Sequence, residues 1–365
     1  MPQLALANIS RILIIRPSAL GDVCRSLPLA AECKRLMPHA AVHWLVQDSF
    51  ADAVSAHPCI DEVVVFARNR LKDGLGAKRT VLTALARTLR RNQYDLVIDA
   101  QGLLRSGLMA WATRAPMRIG HAEAREGAWL AYTHRVRASH EHTVDRMLTL
   151  LDPLRALARE RPYAPSPESA LPPSWQLVPP QADSDWANSS AWSGRSSGQG
   201  PLIAIAPTSR WPAKQWPIER FTELAVALLS AHEHARIIVL GGPGEQAACA
   251  PLLALTERDA RITSLIGATS VGQLIAAIGQ AHVLIACDSA ALHMAAAQGR
   301  PLVALYGPTD VRKVGPYRRS ASVISHLRRG DVLQHKNPAA VAVMQRITTQ
   351  EVVRAALEIL AASGR

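Results

Sequence analysis

Short runs of Val, Ile and Leu recur along this chain with helical stretches between them, and the whole pattern occurs twice. In the first half the apolar runs cover 11–16, 42–46, 62–66 and 95–99, with helical stretches near 23–36, 75–92 and 140–160. In the second half the runs are 202–206, 236–240, 262–265, 283–286 and 302–305. The helical stretches there are 218–232, 245–256, 271–280, 289–298 and 349–362. Strands buried on both faces read as continuous apolar runs, and strands alternating with helices build parallel sheets. Between the halves, residues 162–200 hold seven Pro, nine Ser and three Gly in 39 positions, the composition of a linker. The expectation is an α/β chain with two doubly wound, Rossmann-like parallel-sheet domains, 1–161 and 201–348, facing each other across a cleft. A last helix within 349–365 either packs back on the first domain or extends the second. A length of 365 residues suits two domains.

Composition narrows the function classes. The chain is 48% hydrophobic and 19% charged, so it can bury a sizeable core and is not a disordered polymer. It has no run of about 18 apolar residues, which argues against a membrane-spanning helix. Its first ten residues, MPQLALANIS, lack the basic region of a signal peptide, which predicts a cytoplasmic protein. Five cysteines are scattered without a Cys-x-x-Cys pair, which excludes most zinc and redox motifs and suits a reducing compartment. The 41 basic and 29 acidic residues leave a net charge of +12. That charge draws the chain to nucleic acid, phosphorylated sugars or an acidic membrane surface, although an Ala- and Arg-rich composition produces it with no partner at all. An aromatic fraction of 4% leaves few stacking platforms, and no nucleic-acid motif is present. A basic polyanion-binding module is therefore the weaker reading.

Doubly wound sheets bind ligands outside the carboxyl ends of their strands, so the loops after the strands matter most. The first is Arg16-Pro17-Ser18-Ala19-Leu20-Gly21-Asp22. Asp22 is either an ordinary helix cap or a carboxylate able to act as a general base. The second runs from Pro207 to Pro217 and carries Thr208, Ser209 and Lys214, hydroxyls and a cation suited to phosphate. The third is Gly241-Gly242-Pro243-Gly244-Glu245, where Glu245 is a ribose acceptor or a first-turn helix acid. The fourth is Asp288-Ser289-Ala290-Ala291-Leu292-His293, a helix start that could receive a diphosphate. From pattern alone His293 reads best as a buried, hydrogen-bonded structural residue. A fifth loop, Tyr306-Gly307-Pro308-Thr309, follows the next strand. Asp183-Ser184-Asp185 has the form of a metal-binding pair, but it lies in the Ser-rich linker, where carboxylates are poorly preorganised. No metal or cofactor is expected.

Taken in order, these segments resemble glycosyltransferase family 9, the ADP-heptose:lipopolysaccharide heptosyltransferases. The resemblance rests on Arg16, Ser18, Gly21 and Asp22, on Lys214-Gln215-Trp216-Pro217, on Asp288 to His293, and on Tyr306-Gly307-Pro308-Thr309. It covers nearly the whole chain outside 162–200. Within the family, Asp99-Ala100-Gln101-Gly102-Leu103 and the stretch of Ala124, Arg125, Glu126, Tyr132 and Arg135 resemble heptosyltransferase I most. Ala290 stands where the family usually has Gly, the one residue that enters positive φ freely.

The resemblance implies a GT-B fold and a metal-independent, inverting transfer of heptose from ADP-L-glycero-D-manno-heptose to the Kdo region of lipid A. Asp22 and Lys214 would be catalytic, the first as base and the second against the charge of departing ADP. Thr208, Ser209, Lys214, Glu245, Asp288, Ser289, Ala290, His293 and Thr309 would bind the donor. Arg16, Ser18, Gly21, Arg68, Arg70, Lys72, Gln101 and Arg125 would bind the acceptor. The protein would be a monomer on the cytoplasmic face of the inner membrane, touching its acidic surface and no nucleic acid. Rival readings are a family 9 enzyme with another donor or a later core acceptor, and a GT-B-like sugar-nucleotide epimerase.

Overall fold

A computed structural model of the chain describes residues 5–166, 171–190, 192, 200–331, 334, 336–337 and 340–363. Contacts divide it into two units, Met1–Glu168 with Pro172–Leu177, and Ser169–Leu171 with Val178–Arg365.

The first unit is built on β1 (Arg11–Ile15), β2 (Ala41–Gln47), β3 (Glu62–Phe66), β4 (Leu96–Asp99), β5 (Met117–His121) and β6 (His134–Val136). All neighbours are parallel, in the order β3-β2-β1-β4-β5-β6. The second unit repeats the plan with β7 (Leu202–Ala206), β8 (Arg236–Val239), β9 (Ile262–Ser264), β10 (Val283–Cys287), β11 (Leu302–Tyr306) and β12 (Val323–Ser325). Its order is β12-β11-β10-β7-β8-β9, again all parallel, which from β7 onward is the arrangement of the first sheet. Two such doubly wound units make the GT-B class. In each sheet the strand order reverses once, between β1 and β4 and between β7 and β10. Those reversals are the crevices in which doubly wound sheets bind ligands.

The apolar runs are strands because helices cover both of their faces. Ile12, Leu13, Ile14 and Ile15 have no exposed surface, and neither do Ile203, Ala204 and Ile205. Three strands are not apolar runs. β5 carries Arg118 and Gly120, and β6 and β12 are three residues long and only partly buried, so period and hydropathy do not mark them.

Prolines redraw three of the expected helices. The stretch 23–36 is two helices, Leu20–Ser26 and Pro28–Leu36, because Pro28 has no N–H to continue the first. Around Pro153, 140–160 becomes Thr143–Leu148, a 3-10 turn and Asp152–Leu157. With Pro251 in its first turn, only Ala250–Leu253 remains of 245–256, after the 3-10 turn Ala247–Cys249.

The segment 162–200 contributes pieces to both units. Trp175 and Leu177 are buried, and the helix Gln181–Ser189 packs on Val271–Gln280. Asp183 and Asp185 lie two apart on that helix, so they point to different sides, and Asp185 accepts a hydrogen bond from Gln181 Nε2 (2.8 Å). The final helix, Thr349–Ser363, places Val352, Ala356 and Leu360 in the second core beside Phe221 and Trp216. Trp216 Nε1 donates to the Ile347 carbonyl at 3.0 Å.

One contact in the first unit sets up a clear test. A Cβ on Gly120 would lie 2.2–2.5 Å from the ring of Tyr132, whose hydroxyl donates to buried Asp99 (2.6 Å). Gly120→Ala therefore displaces Tyr132 and breaks that hydrogen bond. We expect a loss of about 3 kcal/mol in urea unfolding of the first unit. A change below about 1 kcal/mol would show that the ring has room to move.

Candidate active site

The second unit gathers its functional side chains on the loops leaving β7, β8, β10 and β11. Asp288 follows β10 directly and is buried. Lys214, at the end of the 3-10 turn Pro212–Lys214, places Nζ 2.6 Å from Asp288 Oδ2. His293, one turn into the helix Ala290–Ala297, places Nε2 3.6 Å from Oδ1. Burial opposes ionisation of Asp288, but His293 and Lys214 outweigh it and hold the carboxyl well below the usual range. Ser209 Oγ donates to the Asp288 carbonyl (2.8 Å), and Gln215 Nε2 donates to the Ser209 carbonyl (2.6 Å). The post-β7 loop is thereby tied to the start of the Ala290–Ala297 helix.

That helix start is open. Its N-cap, Ser289, makes no side-chain capping bond, so the first helical N–H groups have none from it. Ser289 Oγ and Thr309 Oγ1 are buried and have no hydrogen-bond partner among the described residues. Buried hydroxyls are normally paired, so the orphan Ser289 hydroxyl at an uncapped helix N-terminus, with Lys214 on the adjoining Asp288, suits an anion, and Thr309 is a second orphan on the loop after β11.

The Gly-rich loop forms the next wall. Gly242, Pro243, Gly244 and Glu245 make a turn closed by the Glu245 N–H on the Gly242 carbonyl (3.3 Å), with Gly244 at φ +86°. Pro in the second place and a left-handed Gly in the third are the requirements of a type II turn. Glu245 is no first-turn helix acid. Its Oε2 accepts from Thr208 Oγ1 (2.5 Å) and from the Gly242 N–H (2.8 Å). Both contacts fall on one oxygen, which leaves Oε1 for a hydroxyl donor.

In the first unit the corresponding edge is basic. Asp22 is the third residue of the Leu20–Ser26 helix, whose N-cap is Ala19, so it is not the N-cap residue. It lies between two guanidiniums: Arg16 Nη2 is 3.0 Å from Oδ2, and Arg25 contacts Oδ1. Arg16 is itself buried and also donates to the Ala100 carbonyl, so it spans the reversal between β1 and β4. Its guanidinium holds Asp22 and the Ala100 carbonyl, while its buried Nε has no partner among the described residues. Ser18 N–H reaches Gln101 Oε1 (3.4 Å) across the same gap, and Gly21 sits in the first turn of the Asp22 helix.

Asp99 organises the loop after β4. Its carboxylate accepts from the N–H groups of Gln101 (2.9 Å) and Gly102 (3.1 Å) and from Tyr132. Burial pushes this carboxyl above its usual range against the pull of those bonds. Arg125 is exposed, and its N–H donates to the Gly102 carbonyl (2.9 Å). Arg68 donates to Gln47 Oε1 (2.9 Å), while Arg70 and Lys72 stand exposed on the Asn69–Lys72 turn after β3.

Arg25 is missing from the residues singled out by sequence, and so is the contact between Asp99 and Tyr132, although each of the two carries part of the family resemblance. Arg25 has a legible signal, since it lies three residues after Asp22 on one helix face. The Tyr132–Asp99 pairing has none, the two being 33 residues apart. Among the described residues, no three of His, Cys, Asp or Glu are gathered as a metal ion would need.

Comparison with known proteins decides the family. Residues 82–340 match glycosyltransferase family 9 (heptosyltransferase). The chain belongs to that family. It is a glycosyltransferase, and its curated relatives are enzymes of the lipopolysaccharide core. It is 26% identical to lipopolysaccharide core heptosyltransferase OpsX of Haemophilus influenzae, covering 86% of this chain and 83% of that one. It is 29% identical to lipopolysaccharide heptosyltransferase 1 of Pseudomonas aeruginosa (85% and 82% covered). It is also 27% identical to lipopolysaccharide heptosyltransferase 2 of Salmonella typhimurium (97% and 99% covered). Among solved structures it shares its fold with a family 9 glycosyltransferase of Veillonella parvula, at TM-score 0.77, 23% identity, and 98% and 99% coverage. It does so too with Escherichia coli heptosyltransferase WaaC bound to ADP-2-deoxy-2-fluoro heptose, at TM-score 0.71, 23% identity, and 95% and 99% coverage.

In this glycosyltransferase Ala290 is the first residue of a regular helix and is not among the residues with positive φ. The position makes no conformational demand that only Gly could meet. Ala290→Gly should therefore leave donor affinity within about threefold and cost under about 1 kcal/mol of stability. Isothermal titration with ADP checks this, and a tenfold gain in affinity would show that the methyl group obstructs the diphosphate.

Proposed function

We propose that this family 9 enzyme moves heptose from ADP-L-glycero-D-manno-heptose to the Kdo region of the lipopolysaccharide inner core, with inversion and without a metal ion. The observation that carries the donor half is the orphan Ser289 hydroxyl at the uncapped helix start, with Lys214 on the adjoining Asp288, in the second unit, where Thr309 is a second orphan. An ammonium has three donors, so Lys214 can hold Asp288 and still meet a phosphate oxygen. Glu245 Oε1 would accept from the ribose. The WaaC structure with an ADP-heptose analogue supports this class of donor.

On the acceptor side, Asp22 takes the proton of a Kdo hydroxyl as its oxygen bonds to the anomeric carbon. The bond from that carbon to the β-phosphate oxygen breaks at the opposite face, which inverts the centre. ADP leaves with an added negative charge, which Lys214 and the helix amides meet. Arg68, Arg70, Lys72 and Arg125 would hold the carboxylates and phosphates of the acceptor. No described helix is long and apolar enough to cross a membrane. The enzyme would work as a monomer at the cytoplasmic face of the inner membrane, where a nucleotide-sugar donor and a lipid-anchored acceptor can meet.

The test is ADP release from the heptose donor with no acceptor, with Kdo-lipid A, and with Kdo-lipid A already carrying one heptose. Release that depends on Kdo-lipid A supports the reading. Release only with the heptosylated acceptor moves the enzyme to the later step. Release without any acceptor dependence, or none at all, would defeat it.

A further inference from the structure

The helix Leu104–Ala112 leaves the loop after β4 with two apolar faces. Met109 and Ala110 are buried, while Leu104, Leu108 and Trp111, spaced by four and three residues, are 48%, 56% and 60% exposed. The 3-10 turn Ala128–Ala131 packs on this helix, so closely that a Cβ on Gly107 would lie 3.0 Å from the Ala128 backbone. The turn adds exposed Trp129 and Leu130. Five of the eleven large apolar side chains left exposed among the described residues thus lie on two packed elements. Scattered exposed leucines need no explanation, but a patch of this kind marks a contact surface.

Its rim is cationic. Arg90, Arg114 and Arg118 line an open depression of 310 Å³ together with Trp111. Arg118 donates to the carbonyls of Ala115 and Ala131, and none of the three meets a carboxylate among the described residues. The Arg135 guanidinium lies 4.6 Å over the Trp129 ring. Glu126, on the loop before the Ala128–Ala131 turn, is turned to the Leu104 N–H at the start of the helix.

We propose that this face docks on an anionic lipid bilayer. The Leu104, Leu108, Trp111 and Leu130 side chains enter the headgroup boundary, and lipid phosphates occupy the arginine depression. Indole rings favour that boundary, and arginines beside it are drawn to anionic headgroups. A second copy of the chain fits the same face poorly, because a two-fold contact would set these arginines against their own copies. A lipid-anchored acceptor, which rests on the function proposed above, gives the docking a purpose. The binding itself needs no acceptor.

The test is sedimentation of the full chain with vesicles of phosphatidylcholine, alone or mixed with phosphatidylglycerol, without donor or acceptor. We expect binding to the mixed vesicles, at least tenfold weaker binding to phosphatidylcholine alone, and release by salt. Arg90→Ala with Arg114→Ala should weaken binding to mixed vesicles about 25-fold, at roughly fivefold per arginine. Leu108→Ser with Trp111→Ser should weaken binding to both vesicle types. Mixed vesicles should shift tryptophan emission to the blue, and Trp111→Phe should remove most of that shift. These residues are exposed, so melting should be unchanged, and ADP release with detergent-dispersed acceptor should persist. Unchanged vesicle binding in both pairs would overturn the proposal. So would a dimer that the Trp111 substitution dissolves in a chain that ignores vesicles.

Discussion

Asp22→Asn should lower heptose transfer by about 10²–10⁴-fold, the range a positioned general base supplies. Asparagine keeps the shape of the side chain and its place after Gly21 but cannot accept the proton. The proposed function assigns donor binding to loops of the second unit, so affinity for ADP should change by less than about twofold. The substitution also removes the counter-charge of Arg16 and Arg25, and Arg16 is buried. Some loss of stability in the first unit is therefore expected, and melting curves recorded beside the kinetics separate it from the loss of chemistry. Arg25→Gln is the informative companion. It leaves the Arg16–Asp22 pair in place, and as a positioning residue it should change the pH profile of kcat more than KM. Transfer within tenfold of the native rate in the folded Asp22→Asn enzyme would remove Asp22 as the base.

Much of this architecture can be read in the sequence, for a physical reason. Strands such as Ile12–Ile15 and Leu202–Ala206 are covered on both faces, so they must be apolar at every position. The alternation of such runs with helices then dictates parallel sheets and places ligands after the strands. β5 escapes that logic because Arg118 and Gly120 interrupt it, and Gly120 is there to admit the Tyr132 ring. The broken helices are legible only if Pro28, Pro153 and Pro251 are taken as stops within longer periodic stretches.

The site is legible to the level of loops and no further. Hydroxyls, a Lys, a Glu and an Asp after β7, β8 and β10 can be picked out by position. Their pairings cannot, because Thr208 and Glu245 are 37 residues apart and Lys214 and Asp288 are 74 apart. Arg16 shows the cost of that blindness. As a sequence feature it is one more cation for an anionic acceptor. In the structure its guanidinium also meets Asp22 and the Ala100 carbonyl, 84 residues away, contacts that its place in the sequence does not show.

Lys214 and Asp288 give the second large effect, because in the proposed function one pair serves both stability and donor binding. Each single replacement, Lys214→Met or Asp288→Leu, strips a largely buried charge of a partner 2.6 Å away. Losses of about 3–5 kcal/mol in the second unit are expected. Replacing both with apolar side chains of similar volume should recover most of that loss, since a buried ion pair contributes little over a well-packed apolar pair. Activity should not follow. The double variant lacks the Lys214 ammonium, and kcat/KM should stay about 10²–10³-fold below native, the scale of one lost electrostatic contact to the leaving group. The pH dependence gives the same argument a sign. His293 and Lys214 hold the Asp288 carboxyl below its unfolded value, so its contribution is complete above about pH 4 and disappears only as pH falls further, through the folded value. Acid unfolding of the second unit should lose that steep limb in Asp288→Leu. A double variant that folds and still transfers sugar at the native rate would show that Lys214 holds Asp288 and never meets the donor.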